Sequence, residues 1–178
     1  MKLARLDLRR GKSSTSGLWL ILAVFVVVML YFVRPTPSVD LDRLPPLDVE
    51  GWLNTEGDVT RKSLAGQVVL VDCFATWCGP CRLTMPDLVE LRQRFADQDV
   101  QVVGLTPEET AEAETVAEYV ASVEGLDWPI GYGADATMKT LGAHLLPTYL
   151  VFDRRGKHVV TANHLSEAEE AVVQALAR

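Results

Sequence analysis

The stretch VVLVDCFATWCGPCR occupies residues 68–82 and joins an apolar run to two closely spaced cysteines. Residues 67–74 are nearly all β-branched or apolar, which predicts a strand that is covered on both faces. Gly79 and Pro80 suit the first turn of a helix, and we expect that helix to run to about Phe95. The stretch therefore predicts a buried strand, a short loop and a helix that begins at the cysteine pair.

The Cys-x-x-Cys step allows a cycle between a dithiol and a disulfide. At the start of a helix it places both sulfurs on one face, within disulfide reach. The electropositive helix N-terminus stabilises a thiolate on Cys78, and Cys81, one turn further in, can resolve a mixed disulfide. So short a loop makes a poor structural staple, and zinc would need two further ligands that the sequence does not offer at similar spacing. We expect redox chemistry and no metal site, with Cu(I) binding by the thiols as the alternative.

Three residues beside the pair bear on this chemistry. Burial without a partner would raise the pKa of the Asp72 carboxyl group, which suits a proton-transfer group for Cys81. The alternative is that Asp72 reaches solvent near the strand's end. Cys73 is expected to pack as a small hydrophobic residue rather than to act as a third redox centre. Trp77 is either a core residue or a partly exposed rim beside Cys78.

The remaining elements follow from periodicity and turn signals. Residues 100–105 predict a second buried strand, and the pattern Thr106-Pro107-Glu108-Glu109 is typical of a helix start. A turn at residues 153–156 predicts an antiparallel strand pair, and a last helix follows. Gly57 suits the turn of a small leading hairpin. We expect a solvated helix face to carry the acidic side chains of Glu108, Glu109, Glu112 and Glu114, and a surface loop to carry His144.

Composition divides the chain into four parts. They are a basic head (residues 1–17), an uncharged apolar run (18–33), a proline-rich linker (34–46) and a globular domain (47–178). The formal net charge is −7 overall, +4 in the head and −11 in the remainder. The acidic balance after the head argues against nucleic acid as a partner.

The apolar run, residues 18–33, is close to the minimum of about 17 residues for a membrane-spanning helix. Five basic residues precede it and only Arg34 directly follows it, which predicts a cytoplasmic N-terminus. We expect a single-pass signal anchor in the cell membrane, with the domain facing the periplasm or another extracytoplasmic space. The alternative is a cleaved signal peptide, although the run is long for one and no small-x-small cleavage site follows it.

Several motifs together resemble the thioredoxin superfamily. They are FATWCGPCR (74–82), Asp72 six residues before Cys78, Pro86 five residues after Cys81, and LPTYLVFD (146–153). The tethered layout resembles the membrane-anchored TlpA/ResA-like branch. The resemblance implies an α/β thioredoxin-like fold, a central mixed sheet flanked by helices, with an N-terminal hairpin extension and one N-terminal transmembrane helix.

The same resemblance implies roles for individual residues. Cys78 attacks, Cys81 resolves and Asp72 shuttles the proton. Pro147 is cis, and the backbone of Leu146 pairs with an extended substrate. The residues expected to contact substrate are Trp77, Gly79, Pro80, Leu146 and Pro147.

The implied function is a membrane-tethered thiol-disulfide oxidoreductase that reduces protein disulfides and needs no cofactor beyond Cys78–Cys81. The Gly-Pro between the cysteines matches thioredoxin, a reductant with a potential near −270 mV, rather than the oxidant DsbA at about −120 mV. The implied partners are a membrane electron donor of the thiol-reductase type and protein substrates, apocytochrome c or other misoxidised proteins. A copper chaperone without turnover and a general disulfide oxidant are the alternatives.

The sequence departs from the branch at three positions. Thr84 stands where many members have a glutamate, and Cys73 where they have an aromatic residue. Asn163 replaces a glycine that is usual after the last strand, so we expect Asn163 to adopt a left-handed conformation.

Overall fold

A computed structural model describes residues 41–178 and, before them, Trp19, Ile21, Val24 and Phe25, which are helical and exposed. The predicted basic head and most of the predicted apolar run and linker lie outside the described residues. Within the described part of the chain, no helix is long and apolar enough to cross a membrane. Residues Val39–Arg178 form one compact unit.

Six strands of the described residues form one mixed sheet. They are β1 (Gly51–Leu53), β2 (Val68–Cys73), β3 (Val100–Leu105), β4 (Ile130–Tyr132), β5 (Thr148–Phe152) and β6 (His158–Ala162). Their order across the sheet is β1-β4-β3-β2-β5-β6. The central strands β2, β3 and β4 run parallel, whereas β1, β5 and β6 pair antiparallel with their neighbours. The predicted α/β fold with a central mixed sheet is confirmed.

Helices cover both faces of this sheet. They are α1 (Gly79–Arg94), α2 (Ala113–Ser122), α3 (Asp135–Thr140) and α4 (Leu165–Leu176). Buried side chains of α1, α2 and α4 pack into one hydrophobic cluster, and those of α3 pack into a second cluster with residues before β2, such as Leu47 and Leu64. All members of both clusters belong to residues 41–178. The unit therefore contains its own core and can be studied alone.

The central strands agree closely with the sequence. All six residues of β2 are buried, as expected for a strand covered on both faces. The predicted strand at residues 100–105 and the predicted helix from Gly79 are also observed. The strand pair around residues 153–156 is a β5–β6 hairpin, in which Asp153 Oδ1 accepts hydrogen bonds from the N–H groups of Arg155 and Lys157.

The predicted N-terminal hairpin is not formed in the described residues. Gly57 has the expected positive φ of 108°, but β1 pairs with β4, in the register Gly51–Tyr132. Asn54, with φ of 56°, turns the chain after β1 and donates hydrogen bonds to the carbonyls of Leu126 and Trp128. A long-range pairing thus replaces the local one, because the exposed edge of β4 accepts β1.

The predicted helix start at Thr106 is wrong. A 3-10 turn at Thr110–Glu112 precedes α2, and a capping box joins Glu109 to Glu112. Thr106 and Glu108 are buried instead. The local pattern fits a cap, but tertiary contacts use these two side chains elsewhere.

The chain joins the folded unit before residue 47. Leu44, which composition places in the linker, is buried, and its N–H donates to the carbonyl of Gly156 at 2.9 Å. Arg43 forms a β-bridge with Lys157. The chain therefore enters the folded unit next to the β5–β6 turn.

Candidate active site

Cys78 and Cys81 form a disulfide at the first turn of α1, with their Cα atoms 5.3 Å apart. Cys78 is the N-cap residue, and its Sγ accepts a hydrogen bond from the N–H of Cys81 at 3.2 Å. The same N–H group and the positive end of the helix would stabilise a Cys78 thiolate once the disulfide is reduced. The structure thus places the pair as the sequence predicts.

The disulfide lies at a groove that we call the active-site groove, with a volume of about 540 Å³. Its lining consists of Trp77, Cys78, Gly79, Pro80, Pro107, Asp135, Met138, Lys139, Ala143, His144, Leu145 and Leu146. Cys78 is 6% exposed and Cys81 only 1%. Only the first cysteine lines this groove, so Cys78 can meet a substrate while Cys81 stays behind it.

Four of the predicted substrate-contact residues line the active-site groove with Cys78. Trp77 is 71% exposed, so it forms a rim and is not a core residue. Gly79, Pro80 and Leu146 are lining residues as well. Pro147 is buried and follows Leu146 through a cis peptide bond, as predicted. His144 is exposed and belongs to the same groove.

Asp72 is buried beneath this site, with 2% of its surface exposed. Along β2 it alternates with Val71 and Cys73, so its side chain faces the cluster that contains both paired cysteines. Its Oδ2 atom has no hydrogen-bond partner within residues 41–178. Burial raises the pKa of this carboxyl group from 3.8 to about 7. The alternative, an Asp72 that reaches solvent, is wrong.

Cys73 points to the opposite face of the sheet. It is buried in the second hydrophobic cluster, with Val71 and Leu150. Burial, followed by the charge of Asp72, raises the pKa of its thiol well above the usual value. A buried thiol of raised pKa is a poor nucleophile, so Cys73 is a core residue, as expected.

Thr84 stands where the resemblance leads us to expect a glutamate. Its Oγ1 lies 2.9 Å from the hydroxyl of Tyr149, which is buried and pairs with Asp72 across β2 and β5. Burial and then the charge of Asp72 raise the pKa of Tyr149. A neutral hydroxyl pair therefore occupies the position at which we expected a carboxyl group.

Glu108 is a site residue that the sequence did not identify. We expected it on a solvated helix face, but it is 4% exposed. Its Oε1 accepts hydrogen bonds from the N–H and hydroxyl groups of Thr76, at 2.7 and 2.6 Å, and the hydroxyl of Thr106 donates to Oε2. Glu108 thus fixes the loop that ends at Cys78. Glu109, Glu112 and Glu114 are exposed, as expected.

Asn163 supports the other side of the site. It does not adopt the left-handed conformation that we expected. Its Nδ2 instead donates to the carbonyl of Pro147 at 2.8 Å and to Oγ1 of Thr148 at 2.9 Å. Asn163 therefore needs no positive φ after β6. In place of the expected glycine, its side chain bonds the segment that follows the cis peptide bond.

Comparison with known proteins identifies the family. The Redoxin family model matches residues 42–176. The chain belongs to the Redoxin family. ResA of Bacillus thuringiensis, called a thiol-disulfide oxidoreductase, is 29% identical to this Redoxin-family chain over 102 residues, 57% of either chain. DipZ of Mycobacterium tuberculosis is 32% identical over 138 residues, 73% of this chain and 19% of DipZ. The chain spans little more than half the length of ResA.

Solved structures agree with this Redoxin-family fold. A thiol-disulfide isomerase from Corynebacterium glutamicum superposes with a TM-score of 0.66 at 23% identity, covering 78% of this chain and 99% of that one. A DsbE-type protein from Chlorobium tepidum gives a TM-score of 0.65 at 24% identity, covering 76% and 96%. The resemblance to the TlpA/ResA-like branch of the thioredoxin superfamily is confirmed.

No group of three or more His, Cys, Asp or Glu side chains is arranged to hold a metal ion among the described residues of this Redoxin-family chain. The site itself brings two sulfurs together at the N-terminus of α1, on the side of the sheet that Asp72 faces.

We predict that Asp72→Asn makes the protein more stable at neutral pH. Between pH of about 4 and 7 the folded protein holds a proton on Asp72 that the unfolded chain releases, so the free energy of unfolding falls as pH rises through this window. The loss reaches up to about 4 kcal/mol and levels off above pH of about 7. Asparagine does not titrate, so the free energy of unfolding of the variant should rise relative to that of the wild type as pH rises.

Urea unfolding of residues 39–178 at several pH values measures this effect. Asp97→Asn, at an exposed aspartate, is the matched control and should follow the wild type. An Asp72→Asn curve parallel to the wild type from acidic to neutral pH would show that burial does not shift the proton equilibrium of Asp72.

We predict that Glu108→Ala lowers the free energy of unfolding by about 2–4 kcal/mol, because it leaves the buried N–H and hydroxyl groups of Thr76 and the hydroxyl of Thr106 without their acceptor. Urea unfolding at neutral pH measures the change. Glu114→Ala, on the exposed face of α2, should stay within about 0.5 kcal/mol of the wild type. Equal effects of the two substitutions would contradict the role of Glu108.

Proposed function

We propose that this protein is a thiol-disulfide oxidoreductase that reduces disulfides in protein substrates. One observation carries the proposal: Cys78 caps α1 at the active-site groove, and its disulfide partner Cys81 is buried behind it. The name of the relative ResA, a thiol-disulfide oxidoreductase, supports the same reaction.

The reaction begins with reduced Cys78. Its thiolate attacks one sulfur of the substrate disulfide, a mixed disulfide forms, and the substrate's other sulfur leaves as a thiolate that takes a proton. Cys81 then gives its proton to Asp72 and attacks Cys78 Sγ, which releases the second substrate thiolate. Two electrons have passed to the substrate, and the Cys78–Cys81 disulfide remains.

Asp72 suits the second step because its raised pKa of about 7 lies near ambient pH. A carboxyl group of ordinary pKa would be too weak a base for a thiol. Asp72 faces the hydrophobic cluster that contains Cys81, so the carboxyl group and the thiol lie on the same side of the sheet. No cofactor other than the disulfide is needed.

The active-site groove fits an extended polypeptide. Trp77 and Leu145 are each 71% exposed and line the groove, so apolar surface is available to a substrate. The backbone of Leu146, just before the cis bond, offers hydrogen-bonding groups to an extended strand, a form of strand addition. Backbone hydrogen bonds depend little on the side chains of the substrate. Such binding suits an enzyme that acts on misoxidised proteins of many sequences.

We further propose that the chain is a single-pass membrane protein with its domain in an extracytoplasmic space. The basic head and the apolar run at 18–33 support a signal anchor with a cytoplasmic N-terminus. A reductant in an oxidising compartment has to be recharged, so we propose a membrane thiol reductase as electron donor. Apocytochrome c is one candidate substrate.

Reduction of insulin by residues 39–178 with dithiothreitol tests the reaction. We expect turnover in the wild type and in Cys73→Ala, a matched control at the buried third cysteine, and at least a 100-fold loss in Cys78→Ser, which lacks the attacking sulfur. Turnover that survives in Cys78→Ser would contradict the mechanism. Stoichiometric Cu(I) binding without any turnover in the wild type would favour a copper chaperone.

Cys81→Ser should accumulate mixed disulfides, because the attacking Cys78 remains but nothing displaces the captured substrate. Non-reducing electrophoresis of membranes that contain the variant, followed by mass spectrometry, identifies the partners. Cys78→Ser should give no such adducts. Adducts that form equally in both variants would show that Cys78 is not the attacking residue.

A further inference from the structure

A second pocket, which we call the basic pocket, has a volume of about 480 Å³. Five of its lining residues are basic, namely Arg43, Arg61, Lys62, Arg154 and Arg155. The others are Leu44, Leu64, Ala65, Val69 and Gly156, and none of the ten is acidic. Leu44, Leu64 and Val69 are buried, so an apolar floor lies beneath a positively charged rim.

The positive charge of the basic pocket contrasts with the negative net charge of the whole chain. The formal net charge is −7, yet this site gathers five cations. Arg61, Lys62 and Arg155 are exposed and form no ion pair within residues 41–178. Their charges are therefore available to an anionic ligand.

Five aspartates lie close to the rim and reduce its charge only in part. Two of them, Asp48 and Asp58, line a neighbouring pocket together with Arg61 and Lys62. Arg154 is held by Asp99 at 3.8 Å and by the carbonyl of Leu176. Asp153 binds backbone N–H groups of the β5–β6 turn through its Oδ1 atom, and Asp42 is the sequence neighbour of Arg43. Asp99 and Asp153 are thus engaged with other groups of the protein, and Asp42, Asp48 and Asp58 form no ion pair with the rim within residues 41–178.

The basic pocket and the disulfide lie at opposite ends of β2. Val69, near the start of the strand, belongs to the basic pocket, and Cys78 follows the strand's other end. The turn at Arg154–Gly156, next to the start of β2, supplies the pocket's other wall. A ligand here would leave the active-site groove open.

The chain also enters the domain at this pocket. Arg43 and Leu44 line it, and both pair with the β5–β6 turn through Lys157 and Gly156. Nine residues, 34–42, separate the apolar run from Arg43. Fully extended, they span at most about 35 Å. A membrane that holds residues 18–33 therefore lies within about 35 Å of Arg43, which lines the basic pocket.

We propose that the basic pocket binds the headgroups of anionic phospholipids, so that this end of the domain rests on the membrane and the disulfide faces away from it. The inference rests on the membrane anchor of the proposed function. Arginine side chains match phosphate oxygens in two-point contacts, and the apolar floor accommodates the glycerol backbone of a lipid. Basic residues near an anionic surface add attraction that salt screens.

Sedimentation with vesicles tests the proposal on residues 39–178, which lack the apolar run. We expect binding to phosphatidylcholine vesicles that contain phosphatidylglycerol, weaker binding in high salt, and none to phosphatidylcholine alone. Arg61→Gln/Lys62→Gln/Arg155→Gln should weaken binding at least about tenfold. Arg92→Gln/Arg94→Gln/Arg178→Gln removes the same charge elsewhere and should weaken it less than about threefold.

An equal loss in both triple variants would overturn the proposal, because the binding would then follow net charge alone. So would binding of inorganic phosphate without any binding to vesicles, which would indicate a site for a soluble anion. Insulin reduction by the same samples reports on the proposed function separately. Vesicle binding without turnover would contradict the proposed function and support lipid binding by the basic pocket. Turnover without vesicle binding would overturn lipid binding alone.

Discussion

The loop that joins β2 to α1 spans only residues 74–78, and the position of both active-site cysteines depends on it. Its backbone is held at several points: Phe74 N–H donates to Leu105, Cys78 N–H donates to Ala75, and Thr76 N–H donates to Glu108. Arg82 Nη1 returns from α1 to the carbonyl of Thr76 at 3.3 Å. Because a short loop has few backbone conformations, these contacts are enough to bring Cys78 to the helix N-terminus.

β2, the strand before this loop, carries one residue, Asp72, that works against the stability of the fold. Every neighbour of Asp72 in β2 is apolar, and a valine or leucine there would bury without any cost in desolvation. Such a local conflict is expected where a residue serves chemistry rather than folding. Tyr149 and Thr84 leave the conflict unresolved, since they form a hydroxyl pair with each other and no hydrogen bond from either to Asp72 is present. Asp72 thus keeps a proton that it can exchange near neutral pH.

Sequence patterns predicted the parts of the structure that local periodicity determines. β2, α1, β3 and the β5–β6 hairpin each follow from a continuous pattern with a clear turn or helix start. The pairing of β1 with β4 could not be read in this way, because Gly51 and Tyr132 are distant in the chain. The cysteine pair and Asp72 were found from residue type and spacing, and the cis Pro147 from the family resemblance. Glu108 was missed because an acidic run resembles a solvated helix face. The signal in the sequence was its position three residues after the predicted buried strand at residues 100–105.

The two ends of β2 carry surfaces of different character, and the membrane-tethered enzyme that we propose would use both at once. Surface near the disulfide is apolar around Trp77 and Leu145, which suits polypeptides of varied sequence. Surface near the start of β2 is basic, and it is the point where the chain enters. A domain held by its linker alone would present its active site to the membrane and to the aqueous space alike. Contacts at the basic end would favour the orientation in which Cys78 faces the aqueous space, so unfolded or misoxidised chains could reach the groove without competing with lipid for the same surface.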